Sequence, residues 1–126
     1  MTSAKRSKGI ILFAHGSRDE LWRRPIEAVA EQIKQMSAQT AVSCAYLELT
    51  EPDLATTVET MRQQSIIEID IVPMFLGVGR HAREDLPELV RQLQLTYPNI
   101  TFILRRAIGE EHRLTQAMAE IALNPA

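Results

Sequence analysis

The chain has 126 residues, 45% hydrophobic and 24% charged, with a formal net charge of −2. Those values fit one domain over residues 1–126 that can bury a core without staples, and they exclude the strongly basic footprint of a nucleic-acid binder. The single cysteine excludes an internal disulfide framework, and no run approaches the ~20 apolar residues of a membrane span. The basic start, MTSAKRSKG, leads into an apolar run of IILFA, which is short for a signal peptide, so the expected compartment is the cytoplasm.

GIILFA (9–14) is nearly continuous in apolar residues, the pattern of a strand covered on both faces. Trp22, Ile26, Val29, Ile33 and Met36 then step by four and three, as one buried face of a helix. VSCAYL (42–47) reads as a second strand, with Cys44 a small core side chain rather than a reactive thiol. Glu51-Pro52-Asp53 is a helix start, and Leu54, Thr57, Val58 and Met61 make that helix's stripe. In IIEIDIVPMF (66–75), a third strand, Ile67, Ile69 and Ile71 alternate with Glu68 and Asp70. A third helix carries Leu86, Leu89, Val90, Leu93 and Tyr97, with Pro87 expected near its start and Tyr97-Pro98-Asn99 as its stop. ITFIL (100–104) is the fourth strand, read like the first as doubly covered, and Leu114, Ala117, Met118, Ile121 and Ala122 mark a last helix.

Strict alternation of strand and helix implies a parallel sheet with helices on its faces and right-handed crossovers. The expected architecture is flavodoxin-like, a three-layer α/β/α sandwich around a four-stranded parallel sheet of order 2-1-3-4. Ligands of such sheets bind beyond the carboxyl ends of the strands where strand order reverses, here between strands 1 and 3. The first strand runs into His15-Gly16-Ser17-Arg18, the second into Glu48, and the third into GVGRHARED with His81. Imidazoles and a carboxylate can ligate a divalent metal, and imidazole also titrates near ~6.5. The spacing alone leaves open a metal site, an acid–base site, or a purely structural role in capping and backbone bonding. His112, in the last helix, lacks such a setting and reads as a surface residue. Arg18, Arg80 and Arg83 flank the two histidines, and together they fit a polyanionic ligand. Gly77 and Gly79 offer backbone N–H donors or a tight loop.

FAHGSRDE, YLELTEPDL and VPMFLGVGRHAREDLPEL, in that order, resemble the small CbiX-type sirohydrochlorin chelatases of the class II chelatase family. The motifs span most of the chain from residue 10 to about 95, and the last thirty residues match in pattern alone. The resemblance implies insertion of a divalent metal, Co(II) foremost with Fe(II) or Ni(II) as alternatives, into sirohydrochlorin on the way to cobalamin or sirohaem. It implies catalytic, metal-binding roles for His15 and His81, a metal-binding role for Glu48, and no organic cofactor. Longer members carry two such units in one chain, so a short one is expected to form a homodimer.

In that chemistry neutral imidazoles hold the metal with positions left open, and they or Glu48 accept the pyrrole protons. Arg18, Arg80 and Arg83 are expected to anchor the substrate's acetate and propionate groups, with Ser17 adding a hydrogen bond. Met74, Phe75, Leu76 and Val78 are candidate apolar walls. The competing reading is a non-catalytic metal- or tetrapyrrole-binding module on the same fold. A phosphoryl-transfer reading meets Ala14 where histidine phosphatases carry an arginine before their histidine.

Overall fold

The computed structural model describes residues 6–124, so most of the polar start MTSAKRSKG lies outside the described residues. Four parallel strands, β1 (Lys8–Ala14), β2 (Thr40–Tyr46), β3 (Glu68–Pro73) and β4 (Thr101–Leu104), form one sheet of order β2-β1-β3-β4. Four helices, α1 (Arg24–Met36), α2 (Leu54–Gln63), α3 (Arg80–Thr96) and α4 (His112–Leu123), alternate with them. The sheet order is the one the sequence pattern predicts, with β1 at its centre.

One sheet face is the core. Ile11 and Phe13 of β1, Ile69 and Ile71 of β3 and Ala45 of β2 meet Leu54, Val58 and Met61 of α2 and Leu86 and Leu93 of α3. Each large aliphatic side chain so buried contributes roughly 1.5–3 kcal/mol. α2 begins where the sequence suggests, because the Asp53 carboxylate accepts the Thr56 N–H at 2.8 Å. That bond holds the Asp53 carboxyl below its usual range. α3 begins earlier than Pro87 suggests. The helix runs through the proline, and the Arg83 carbonyl forgoes its bond four residues on because proline has no N–H.

The opposite face is covered less completely than the sequence implies. α1 lies over β1 and β2 there, with the Cys44 thiol directed at the Ile26 carbonyl at 3.9 Å. Cys44 is therefore half-buried rather than part of the core. Of the apolar stripe of α1, Trp22 falls in a preceding 3-10 turn (Glu20–Arg23) and is 39% exposed, while Met36 is 81% exposed. Ala30 is the buried residue of that helix. α4 packs on the short 3-10 turn Ile108–Glu110, and its Ile121 is 68% exposed. β4 is an edge strand with Thr101 and Ile103 exposed, so it is not covered on both faces.

Asp70 also departs from the simple alternation. It sits 2% exposed on the α1 side of β3, next to Ile10 and Ile103. Arg105 meets its Oδ2 at 2.7 Å and Lys8 approaches at 3.6 Å. The side chains of both cations are about half exposed, while the carboxylate they meet is buried. Asp70→Ala is expected to lower the unfolding free energy by about 1–3 kcal/mol, less than a fully enclosed pair would, because Lys8 and Arg105 can rehydrate. Urea titration measures it. Asp53→Ala should cost about 1 kcal/mol at neutral pH through the lost helix cap. Because folding depresses the Asp53 pKa, that stabilisation is present above the unfolded value and fades as pH falls through the folded one. The gap between variant and wild type should therefore narrow below about pH 4 in thermal unfolding.

Candidate functional site

β1, β2 and β3 deliver their loops to one end of the sheet. Past the last ladder pair, Ala14 with Tyr46, the Leu47 N–H still donates to Ala14 O at 2.9 Å and the Glu48 N–H to His15 O at 3.1 Å. On the other side the Met74 N–H donates to Phe13 O at 2.7 Å. His15 is thus held between the two neighbouring loops. Gly16, which follows it, has φ 107°, and a Cβ there would fall 1.8 Å from the Glu48 carbonyl oxygen. No side chain fits so close an approach in that left-handed conformation.

This arrangement sets His15 Nε2 3.4 Å from Glu48 Oε1, with the side chains 61% and 56% exposed. The contact is an ion pair when the imidazole is protonated. Phe75 meets the His15 ring edge-on, centroids 6.3 Å apart at 71°, and Phe13 backs Phe75 at 6.4 Å and 69°. Edge-to-face geometry of this kind orients the imidazole without consuming its nitrogens.

His81 lies in the first turn of α3, after the cap residue Gly79. His15 and His81 line the same cavity of about 360 Å³, walled by Phe13, Phe75, Leu86 and Leu89. Gly77 and Gly79 border it with nothing within 4 Å of where a Cβ would stand, so they leave the space open rather than serving a close packing contact. Asp85, one helical turn past His81, lines the cavity as well. It escapes the sequence reading, although its i+4 spacing from His81 on one helix face was a usable signal. Among the described residues, no three His, Cys, Asp or Glu side chains stand close enough together to hold a metal ion. His15 and Glu48 are adjacent, and His81 shares the cavity of His15 without closing a third ligand position.

The expected anchoring residues do not all gather there. Arg80 lines the cavity and reaches Glu84 through Nε at 3.1 Å. Arg83 faces the other side of α3, into a smaller cleft with Leu104 and Arg105. Arg18 is exposed beside the His15 loop. The Ser17 hydroxyl accepts the Asp19 N–H at 3.1 Å, and the Asp19 carboxylate in turn caps Leu21 N–H at 3.0 Å. Of the proposed apolar walls, Phe75 lines the cavity, whereas Val78 lines the cleft with Arg83. His112 opens α4 and is exposed.

A second cavity, about 380 Å³, lies along the outer edge of β2 between α1 and α2. Burial pushes the Cys44 thiol up and the Tyr46 phenol to about 12, so both stay protonated at neutral pH. It offers neither an imidazole nor an activated nucleophile, and the cavity at the carboxyl edge is the better candidate.

Residues 9–123 match the family model CbiX. The sirohydrochlorin cobaltochelatase of Methanopyrus kandleri is 31% identical over 81 residues, which cover 64% of this chain and 57% of that protein. Among solved structures, a CbiX protein of Marinobacter aquaeolei described under cobalamin (vitamin B12) biosynthesis superposes with a TM-score of 0.81 at 35% identity, covering 94% of this chain and 96% of that one. The sirohydrochlorin chelatase SirB of Bacillus subtilis subspecies spizizenii, solved in complex with cobalt, superposes with a TM-score of 0.78 at 26% identity, over 94% of this chain and 50% of that one. The chain spans about half the length of several curated relatives it matches. A family match over nearly all of the sequence, on a sheet of the expected order, leads to one conclusion: the chain belongs to the CbiX family.

Proposed function

We propose that the protein is a chelatase that inserts a divalent metal into sirohydrochlorin, with Co(II) the favoured ion and Fe(II) or Ni(II) the alternatives. The observation that carries this reading is the shared cavity: His15 and His81 border one space at the carboxyl edge of the sheet, with Glu48 beside His15. Related proteins named sirohydrochlorin cobaltochelatase and sirohydrochlorin ferrochelatase support the substrate and leave the metal between cobalt and iron. Binding strength alone does not select among these ions.

Insertion needs a metal that is held but releasable, acceptors for two pyrrole protons, and a surface on which the ring can lie. His15 and His81 supply imidazole ligands, and Glu48 adds a carboxylate at the exposed side of the pair. An open set of donors suits a metal that has to leave for the ring, since a closed four-ligand cage would retain it. The exposed Glu48 carboxylate and the imidazoles are the acceptors within reach of pyrrole N–H protons. The cavity is at the small end of the roughly 300–1,000 Å³ of small-molecule sites, so the macrocycle lies across its mouth rather than inside it. Exposed Leu47 and Leu89 give that mouth an apolar rim. Arg80 at the cavity and Arg18 beside the His15 loop are the anchors for the substrate's carboxylates, with Ser17 adding a hydrogen bond; Arg83, in the cleft on the other side of α3, is left without a role at the ring. A second copy of the chain supplies the opposite wall, which makes the working unit a homodimer. The reaction is read as cytoplasmic; no helix among the described residues is long and apolar enough to cross a membrane.

Incubation of the protein with sirohydrochlorin and Co(II), followed by absorbance, tests the reading. His15→Ala and His81→Ala should each slow insertion by about 10²-fold or more. Wild-type rates in both variants would sink the site assignment, and a wild type no faster than the spontaneous reaction would leave a binding module instead. Glu48→Gln should weaken Co(II) binding by roughly tenfold, read by titration calorimetry, with a smaller loss of rate than either histidine variant.

A further inference from the structure

The backbone ladder between β1 and β2 does not stop at the strand ends. Leu47 and Glu48 continue it onto Ala14 and His15. The next backbone groups in line are those of Ser17, and the second loop meets them with a side chain. Thr50 Oγ1 accepts the Ser17 N–H at 3.1 Å, and the Thr50 hydroxyl donates to the Ser17 carbonyl. One hydroxyl thereby satisfies both backbone groups of a half-buried residue, as a neighbouring strand would.

The second loop adopts an unfavourable shape to do so. Leu49 sits in the left-handed region at φ 65°, where a branched aliphatic side chain gains nothing locally, and its side chain is exposed. The Thr50 N–H turns back to Glu48 O at 2.8 Å, the same carbonyl oxygen that crowds Gly16. His15 and Glu48 therefore lie inside a short closed circuit. It runs from His15 through Gly16 to Ser17, across the hydroxyl to Thr50, and back through Leu49 to Glu48.

We propose that Thr50 is a positioning residue for the metal site: its hydroxyl clamps the loop after β1 to the loop after β2 and so fixes the distance between His15 Nε2 and Glu48 Oε1. Thr50 touches neither imidazole nor metal and acts through the backbone of Ser17. The proposal rests on the reading of His15 and Glu48 as metal-binding residues. Valine matches threonine in shape but makes neither bond, whereas serine keeps the hydroxyl.

Titration of Co(II) alone into wild type, Thr50→Val, Thr50→Ser and His15→Ala, with thermal unfolding of each in the same buffer, tests this. Thr50→Val should bind Co(II) at least roughly tenfold more weakly, the loss typical of removing a group that orients a ligand, and Thr50→Ser should restore most of it. In the insertion assay the Thr50→Val defect should shrink as Co(II) is raised, a KM effect larger than the kcat effect. Wild-type affinity in Thr50→Val, or an equal loss in Thr50→Ser, overturns the clamp while a large loss in His15→Ala leaves the metal site standing. Wild-type affinity in His15→Ala instead overturns the site reading and the clamp with it. Amide exchange on the unmutated protein gives a check free of folding defects: the Ser17 N–H should exchange much more slowly than an open loop amide, and exchange at the open-loop rate rules the clamp out.

Discussion

The site depends on a backbone contact that tolerates no side chain. After β1 the chain must leave the sheet between two neighbouring strands whose own loops leave at the same level. Gly16 makes this possible by passing against the Glu48 carbonyl at a distance that would put a Cβ inside the oxygen's radius, at a φ of 107°. Ala14 pairs with Tyr46, and beyond that pair the Glu48 N–H donates to His15 O at 3.1 Å, so His15, one residue past β1, stands beside Glu48, two residues past β2. The third loop joins from the other flank, where Gly109 approaches the Leu76 carbonyl just as closely and its N–H donates to Phe75 O at 2.9 Å. Phe75, held there, fixes the His15 ring. Two glycine contacts thus set the aromatic and acidic neighbours of one imidazole.

How much of this is legible in the sequence follows from the range of the forces involved. Alternating apolar runs and helical stripes depend on near neighbours, so the succession of strands and helices and the placement of His15, Glu48 and His81 after strand ends can be read directly, whereas the order 2-1-3-4 within the sheet comes from the flavodoxin-like architecture that this succession suggests. The same periodicity says which face of a helix is apolar and nothing of what covers it. The stripes of α2 and of α1 look alike in the sequence, yet Val58 and Met61 are enclosed while Met36 is open. Asp70 defeats the alternation rule because Arg105, its partner, comes 35 residues later and no local pattern announces it. Pro87 misleads for a similar reason, since the packing of Leu86 and Leu93 against the sheet outweighs the one helix bond it removes.

The arginines separate in a way that composition could not show. Arg80 stands at the cavity and shares its charge with Glu84 one turn on, whereas Arg83, three residues later, turns to the far side of α3. Three residues turn a helix by about 300°, about 60° short of a full turn, and that offset is enough to put Arg80 at one cavity and Arg83 at the neighbouring cleft, so a cluster in sequence need not be a cluster in space. The carboxylate of Asp85 takes a place at the cavity where a third cation was expected. The lining therefore mixes imidazole, carboxylate and guanidinium, which moderates the local field; a metal held there is balanced by acids and is not opposed by a purely cationic wall.

Openness is the feature that ties fold to proposed activity. A metal that is cargo has to be bound through few enough protein ligands that a ring nitrogen can displace them one at a time, and the proposed site, with His15 and His81 on one cavity and Glu48 beside His15, offers separate handholds in place of a cage. Such a site is precise only if the loops carrying the handholds are rigid. In the proposed reaction the metal departs every turnover, so rigidity has to be built into the backbone. The glycine contacts at positions 16 and 109, the edge-on Phe75 and the threonine clamp on Ser17 are contacts of this kind, made by the protein alone. In the proposed site, ordering is then concentrated in groups that do not touch the metal, and the side chains assigned to it, His15, Glu48 and His81, are left exposed.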